Sequence, residues 1–384
     1  MAAEPFTRSQ TVAALALAVV AGCVPALQPI LLGGLLAEHR LTAGQIGEAA
    51  TVEAIGMAVA AAIAGAFLRP IRLRMIAVAG VAALCAANGL TMIAGGAGIL
   101  AARGLNGAAS GVLLWILVGM MTRAANPGRL FALYVLSQAI GAFVLATLFS
   151  SLVIPRFGAA GGYAVLVALG AALLLPIALL KPAYAPIASG GGARRPTGRG
   201  GVGLLAVALD MAGVFAFWVY LAPLGRQLGF STETIGIAIS AGIGVQILGG
   251  LASFALAGRL GGAAATAASA GISALVVLLL LAHPALWVFY LASGSVAFLW
   301  MFAPPFHLPL LLAADPSRRS AMFVSSAQLA GIAGGPMIAS LVVTDSAFIG
   351  SAVASIALFA AAALVALAAI SRRVSNTGAA AFAA

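Results

Sequence analysis

The chain has 384 residues, of which 63% are hydrophobic and only 7% charged, with a formal net charge of +11. A soluble domain carries about 25% charged residues, so this composition excludes an ordinary water-soluble globule and points to a protein solvated by lipid. The 47 glycines, about 12% against a typical ~7%, suit membrane helices, whose association relies on close packing rather than exclusion from water.

In chain order, about twelve apolar segments approach the ~20 residues that span a bilayer. They cover residues 10–37, 44–68, 74–95, 97–122, 129–153, 161–180, 202–225, 232–257, 263–282, 285–312, 319–343 and 347–371. Assigning alternate loops to the two sides places Arg8, Arg69, Arg72, Arg74, Arg123, Arg129, Lys181, Arg194, Arg195, Arg199, Arg259, Arg318, Arg319, Arg372 and Arg373 on one side. Only Arg40, Arg156 and Arg226 fall on the other, and Arg103 is left inside the membrane. This positive-inside asymmetry predicts a multi-pass protein of a cell (inner) membrane with both termini cytoplasmic. It also accounts for the net charge without nucleic acid, since no basic stripe or stacking platform remains.

The first segment, "TVAALALAVVAGC", imitates a secretory signal, but the apolar run continues past Cys23 to Leu36 and the residues before it are nearly neutral. An uncleaved helix is expected. Within it "CVPALQPI" sets Gln28 between Pro25 and Pro29. Each proline removes a hydrogen bond, freeing the carbonyls of Ala21 and Pro25. Irregular backbone at that depth survives only against protein or a cavity, which makes Gln28 a candidate substrate contact. In the second segment Glu53 is mid-span and Glu48 nearer its end. Five residues put them about 140° apart around a helix, so they form no paired site. Glu53 is the candidate partner of Arg103 or proton carrier. Cys23 and Cys85 both fall within spans and report neither a disulfide framework nor a metal site.

The fourth segment contains "RGLNGAASG", residues 103–111. A central membrane arginine costs about 2.5–3.5 kcal/mol on insertion scales and is tolerable only facing the bundle interior or a wet cavity. Gly107 and Gly111 lie on the face of Arg103, where they let a neighbouring helix pack close. Arg103 could grasp a substrate carboxylate, or hold a carboxylate whose protonation drives a cycle. The structural alternative is a brace or a snorkelling side chain. Trp115 is a further cavity candidate.

The long polar stretch "KPAYAPIASGGGARRPTGRGG", 181–201, reads as a cytoplasmic linker between an N-terminal bundle (1–180) and a C-terminal one (202–384). The two parts resemble each other. "LTAGQIG" (41–47) precedes "FSTETIG" (230–236) by about the same interval that separates Arg69 and Arg129 from Arg259 and Arg319. "SQAIGAFVLATLFSS" (137–151) aligns with "AQLAGIAGGPMIASL" (327–341), matching Gln138 to Gln328 and Gly141 to Gly331. Two parallel six-helix halves around an axis along the membrane normal form a transporter architecture, with the site between them near the midplane.

On these residues the chain resembles the major facilitator superfamily over essentially its whole length. "RGLNGAASG" is similar to that family's fourth-helix motif R-x-x-x-G-x-x-x-G, with Arg103, Gly107 and Gly111 in place. The loop after the second helix, "GAFLRPIRLR", keeps Gly65, Arg72 and Arg74 of the family's loop motif, but Arg69 stands where an acid belongs. Its second copy, "LAGRLGG", keeps Arg259 and Gly261 and has Gly258 there. The fifth helix lacks the Gly-Pro pair typical of drug antiporters, although a "GGP" (334–336) occurs in the eleventh.

Asp210 is the sole acid in the spans of the second half, roughly 12 Å into its helix. Phe217 and Tyr220 fall within about 80° of it, giving one face with a charge and two rings. That face would suit a partly apolar solute or a proton-binding acid. In the tenth segment Pro304 and Pro305 predict a break, His307 follows immediately, and its imidazole titrates near neutral pH. Trp300, just before the break, is another cavity candidate. There is no phosphate loop, HExxH or nucleophile elbow, so no enzyme, cofactor or metal is expected.

The sequence predicts an all-α polytopic membrane protein with twelve transmembrane helices in two pseudo-symmetric six-helix bundles, and monomeric. The expected function is a secondary active transporter that moves a small organic solute, an organic acid or similar metabolite, by alternating access in proton-coupled uptake. Its partners would be solute, protons and the lipid bilayer. Proton-driven efflux of drugs or metabolites is the alternative, and a membrane sensor that binds without carrying is a third reading.

Overall fold

The computed structural model describes residues 6–124, 127–185, 197–256, 258–315 and 320–371. Residues 186–196 of the expected linker and Arg318, Arg319, Arg372 and Arg373 lie outside them. The architecture is all-α. The helices are α1 (Arg8–Gly22), α2 (Val24–Ala37), α3 (Ala43–Phe67), α4 (Leu73–Ile93), α5 (Ala97–Met121), α6 (Pro127–Leu148), α7 (Ile154–Ala172) and α8 (Leu174–Ile177). They continue with α9 (Gly198–Trp218), α10 (Leu221–Gln227), α11 (Thr232–Leu256), α12 (Gly262–Ala282), α13 (Leu286–Phe302), α14 (Pro304–Ala314), α15 (Val324–Ser340) and α16 (Ile349–Ser371). Thr7 and Thr42 start α1 and α3 with capping boxes completed by Gln10 and Gln45, which satisfy amide groups left open at a helix start.

Among the described residues, nine helical stretches are long and apolar enough to cross a bilayer, or ten if α13 and α14, bent by 51°, count together. One stretch, Leu133–Ile177, runs 45 residues, more than twice what a crossing needs, and leaves helical geometry at Gly158 (φ 64°, ψ −169°). At 17 residues, α15 falls just short of that length. Large apolar side chains such as Ile93, Phe67, Leu175 and Phe254 are at least 80% exposed. In water this would be an aggregation surface, and in lipid it is solvated.

Helices α1–α8 pack chiefly on one another: α3 on α5, α4 on α5 and α7, α1 on α5 and α6. Helices α9–α16 repeat the arrangement, with α11 on α13, α12 on α16 and α13, and α9 on α15 and α16. The two sets meet where α3 faces α15 and α6 faces α11. Each set opens with a helix broken just ahead of a proline, at Cys23 before Pro25 and at Tyr220 before Pro223.

The bundle has two distinct ends. At the Arg40 end, Arg40 donates to the Ala94 carbonyl and the Glu38 carboxylate accepts from Ala159 N. At the Arg74 end, the α3–α4 loop carries the family-like motif without its acid. There Leu73 N donates to Pro182 O, Tyr184 N to Pro70 O and Arg74 Nε to Leu180 O. The Arg123 guanidinium stacks on Tyr184, 5.3 Å from the ring centre, and its Nε donates to Ala185 O. The loop is thus moored by backbone pairing to the segment after α8.

The seam between the sets is tied from the Arg40 end to mid-helix. Asp345 accepts from Ala43 N at 2.6 Å, and Tyr220 Oη donates to Ala43 O and accepts from Gly47 N. Arg226 donates to Gly33 O, Trp218 Nε1 to Ala26 O, and Thr51 to Ala333 O. Burial follows the same gradient. Eight of the nine buried residues of α3 lie at or before Ala54, and those of α15 lie at or beyond Gly331. The facing surfaces part towards the Arg74 end.

Candidate functional site

Two clusters of buried ionisable groups flank the seam. In the first, Arg103 is 1% exposed and Glu53 4%, so neither snorkels to a surface. Arg103 Nη1 lies 3.6 Å from Glu53 Oε1. Nη2 donates to Asn88 Oδ1 at 2.9 Å and Thr91 Oγ1 at 2.8 Å on α4, and the guanidinium sits over the Tyr163 ring, 4.8 Å from its centre. Glu53 also accepts from Asn106 Nδ2 and, at 3.2 Å, from Gln28 Nε2. The charge of Arg103 is therefore answered by an acid on the neighbouring helix. Gly107 and Gly111 make the approach possible: a Cβ at either would overlap the backbone of α3 at the Glu53 or Met57 carbonyl. These two glycines set the spacing of α3 and α5 on which the ion pair depends.

The break at Cys23 positions Gln28. Ala26 N donates to Cys23 O at 3.2 Å rather than continuing the helical ladder. Carbonyls with outside partners beside the break are those of Gly22, which accepts from Gln138 Nε2 on α6, and Ala26, which accepts from Trp218 Nε1, rather than the Ala21 and Pro25 carbonyls expected from the prolines alone. Beyond the break, Gln28 turns to Glu53 and lines a small void of ≈ 10 Å³ with Pro25, Met57, Ser110 and Ile332. Ile332 belongs to α15, so both sets wall this void.

In the second cluster Asp210 is 2% exposed and His307 0%. His307 Nε2 lies 3.2 Å from Asp210 Oδ2, and its Nδ1 lies 3.1 Å from Gln328 Nε2. The 51° bend at Pro304–Pro305 brings the first turn of α14 over α9, so the expected break does position the histidine. His307 thus bridges Asp210 and Gln328 through its two ring nitrogens.

The structure separates other expected members from these clusters. Tyr220 does not share a face with Asp210, because α9 ends at Trp218 and Tyr220 takes φ −96°, ψ 6° in the break. Helical periodicity stops there, and the phenol ties α3 across the seam instead. Phe217 is fully buried in the core, as apolar packing alone would place it. Trp300 packs edge-on against Phe215 and Trp218, at 4.8 and 5.7 Å between centres. Trp115 packs against the core of the first set. In the GGP of α15, a Cβ at Gly335 would overlap the Ala212 carbonyl of α9, so this element serves close helix packing.

Sequence reasoning missed Asn88, Thr91, Asn106, Ser110 and Tyr163. The available signal was their polarity inside apolar spans, with Asn88 and Thr91 at i, i+3 on one helical face. Gln328 had been noticed only as a repeat match.

No family model matches the sequence, and no curated protein matches it. Solved structures do. The chain is similar to the nucleoside transporter NupG, with a TM-score of 0.72 over 94% of this chain and 98% of that one, at 14% identity. It is also similar to a D-xylose-proton symporter (0.68, 93% and 96% covered, 13% identity). A bacterial homologue of the human lysosomal transporter Spinster, inward-facing and unoccupied, gives 0.65 with 96% of each chain covered at 12% identity. This likeness is one of fold.

Proposed function

We propose that this chain, which has the fold of the major facilitator transporters, is a secondary transporter and not an enzyme. It would carry a small organic solute across a membrane by alternating access, driven by protons. The observation that carries the reading is the pairing of two buried ionisable clusters with a seam tied at one end and parting towards the other. With the Arg-rich Arg74 end cytoplasmic, the arrangement is inward-facing. In this reading α1–α2, α9–α10 and α13–α14 are broken single crossings and Gly158 divides two, giving twelve crossings in bundles 1–180 and 202–384. The protein would act as a monomer in a cell (inner) membrane.

The clusters divide the work. Arg103 cannot release its proton, so Glu53 and Arg103 form a neutral pair when Glu53 is ionised. Among the described residues, the ionisable group paired with Asp210 is His307. Helices α12, α13, α15 and α16 bring no charged residue within their bounds. Taking up one proton therefore changes the Asp210–His307 pair from one net negative charge to none. An uncompensated buried charge is costly, which favours passage of the loaded form. The likeness to a D-xylose-proton symporter supports coupling in this direction over efflux. An organic acid as solute rested on a grip by Arg103; with that guanidinium held by Glu53, Asn88 and Thr91, the support for this choice is weaker.

The test is solute flux in proteoliposomes. Asp210→Asn and His307→Gln are expected to abolish proton-driven accumulation while leaving solute exchange at zero gradient. If both variants still accumulate solute, the coupling assignment is wrong. If the wild type exchanges no solute at all, the transporter reading is wrong.

A further inference from the structure

The small void at the seam has walls of definite hydrogen-bonding sense. Gln28, 3% exposed, has its Nε2 committed to Glu53. With the amide nitrogen facing Glu53, the carbonyl oxygen faces away from it. That oxygen, Gln28 Oε1, has no hydrogen-bond partner, and neither has Ser110 Oγ, although Ser110 is 2% exposed. Both residues line the void. Buried polar atoms left unpaired are rare enough to need an explanation. Glu53 contributes to the same wall, and its Oε2, which accepts from Gln28, keeps a lone pair. Arg103 contributes nothing to it, being held behind Glu53.

The void therefore offers acceptors and one hydroxyl of either sense, beside a carboxyl group whose charge Arg103 answers from behind. Its ≈ 10 Å³ is about the space of one water-sized group. Its walls come from α1, α2, α3 and α5 on one side and α15 on the other, so a group bound there touches both sets and senses their separation.

We infer that the solute is a neutral or cationic compound that inserts a hydrogen-bond donor, a hydroxyl or an amine N–H, between Gln28 Oε1, Ser110 Oγ and the Glu53 carboxylate. A carboxylate, which brings acceptors and no donor, is not the group that enters the void. This rests on the transporter reading and adds to it the chemical class of what is carried and the atoms that select it. A donor lost against a charged acceptor weakens binding by roughly tenfold to a hundredfold.

The experiment uses the full-length protein in proteoliposomes, with four probes tested for exchange and for thermal stabilisation: myo-inositol, putrescine, tetramethylammonium and succinate. Myo-inositol or putrescine is expected to exchange and stabilise. Tetramethylammonium, which has charge but no donor, and succinate are expected to do neither. Ser110→Ala and Gln28→Met should weaken the effective probe by about threefold to tenfold, with the unliganded melting temperature of Ser110→Ala showing that the fold is kept. Transport of succinate, or of a donor probe at wild-type affinity in both variants, overturns the inference and leaves the transporter reading intact. Tetramethylammonium acting as well as putrescine overturns it too, by showing that charge alone is read. If none of the four is exchanged or bound, the donor-recognition inference is overturned, and only a protein that exchanges no solute of any class loses the transporter reading as well.

Discussion

Arg103 spreads one charge over Glu53, Asn88, Thr91 and the face of Tyr163, and Glu53 is equally engaged by Gln28 and Asn106. Removing one partner of such a pair leaves the other buried and unanswered. Arg103→Leu should therefore destabilise the protein by about 3–5 kcal/mol, read as a lowered melting temperature in detergent. Adding Glu53→Gln should recover a large part of the loss. If the double variant melts no higher than Arg103→Leu, the pair is not the unit described here. At this scale the sequence was legible wherever a charge stood in an apolar span. It picked out Arg103, Glu53, Asp210 and His307, because a charge at that depth must be accounted for. It could not pair Asp210 with His307, 97 residues away, since that contact depends on how α9 and α14 cross. It also could not tell an arginine turned to the cavity from one turned to α4.

Elements were legible to within a residue or two where composition changes sharply. The expected segment 44–68 is α3 and 97–122 is α5, both ended by polar or glycine-bearing turns. The breaks were legible from prolines, yet their consequences were local and three-dimensional. The end of α9 at Trp218 moved Tyr220 out of the face it would have shared with Asp210. The contact of α3 with α5 supplies a test at this scale. Gly107→Val would force side-chain atoms into the Glu53 carbonyl, which backbone cannot yield as a flexible side chain can. A loss of at least about 1–3 kcal/mol is expected, with solute exchange falling alongside stability. An equally stable variant would mean that α3 and α5 can stand further apart.

The whole molecule was legible as an all-helical membrane bundle, and its state was not, because closure at one end depends on contacts between residues far apart in the chain. Thr51 and Ala333, bonded at 2.8 Å across the seam, give a handle on it. In a background of Cys23→Ala and Cys85→Ala, joining cysteines at these two positions with a short reducible cross-linker should stop transport. Reduction should restore it. Transport that continues while cross-linked would show that the seam need not part at mid-helix. The ties along that seam are also unequal in kind. Trp218, Tyr220, Arg226 and Asp345 of the second set reach with side chains, while the first set answers with main-chain groups of Ala26, Ala43, Gly47 and Gly33. Only Thr51 reaches the other way among these. A main-chain amide or carbonyl is the same whatever residue bears it. Over generations of substitution the first set could drift at these positions within the limits of size, whereas each reaching residue of the second set would be held to its own chemistry. The two sets of helices would thus come to evolve at different rates along a surface they share.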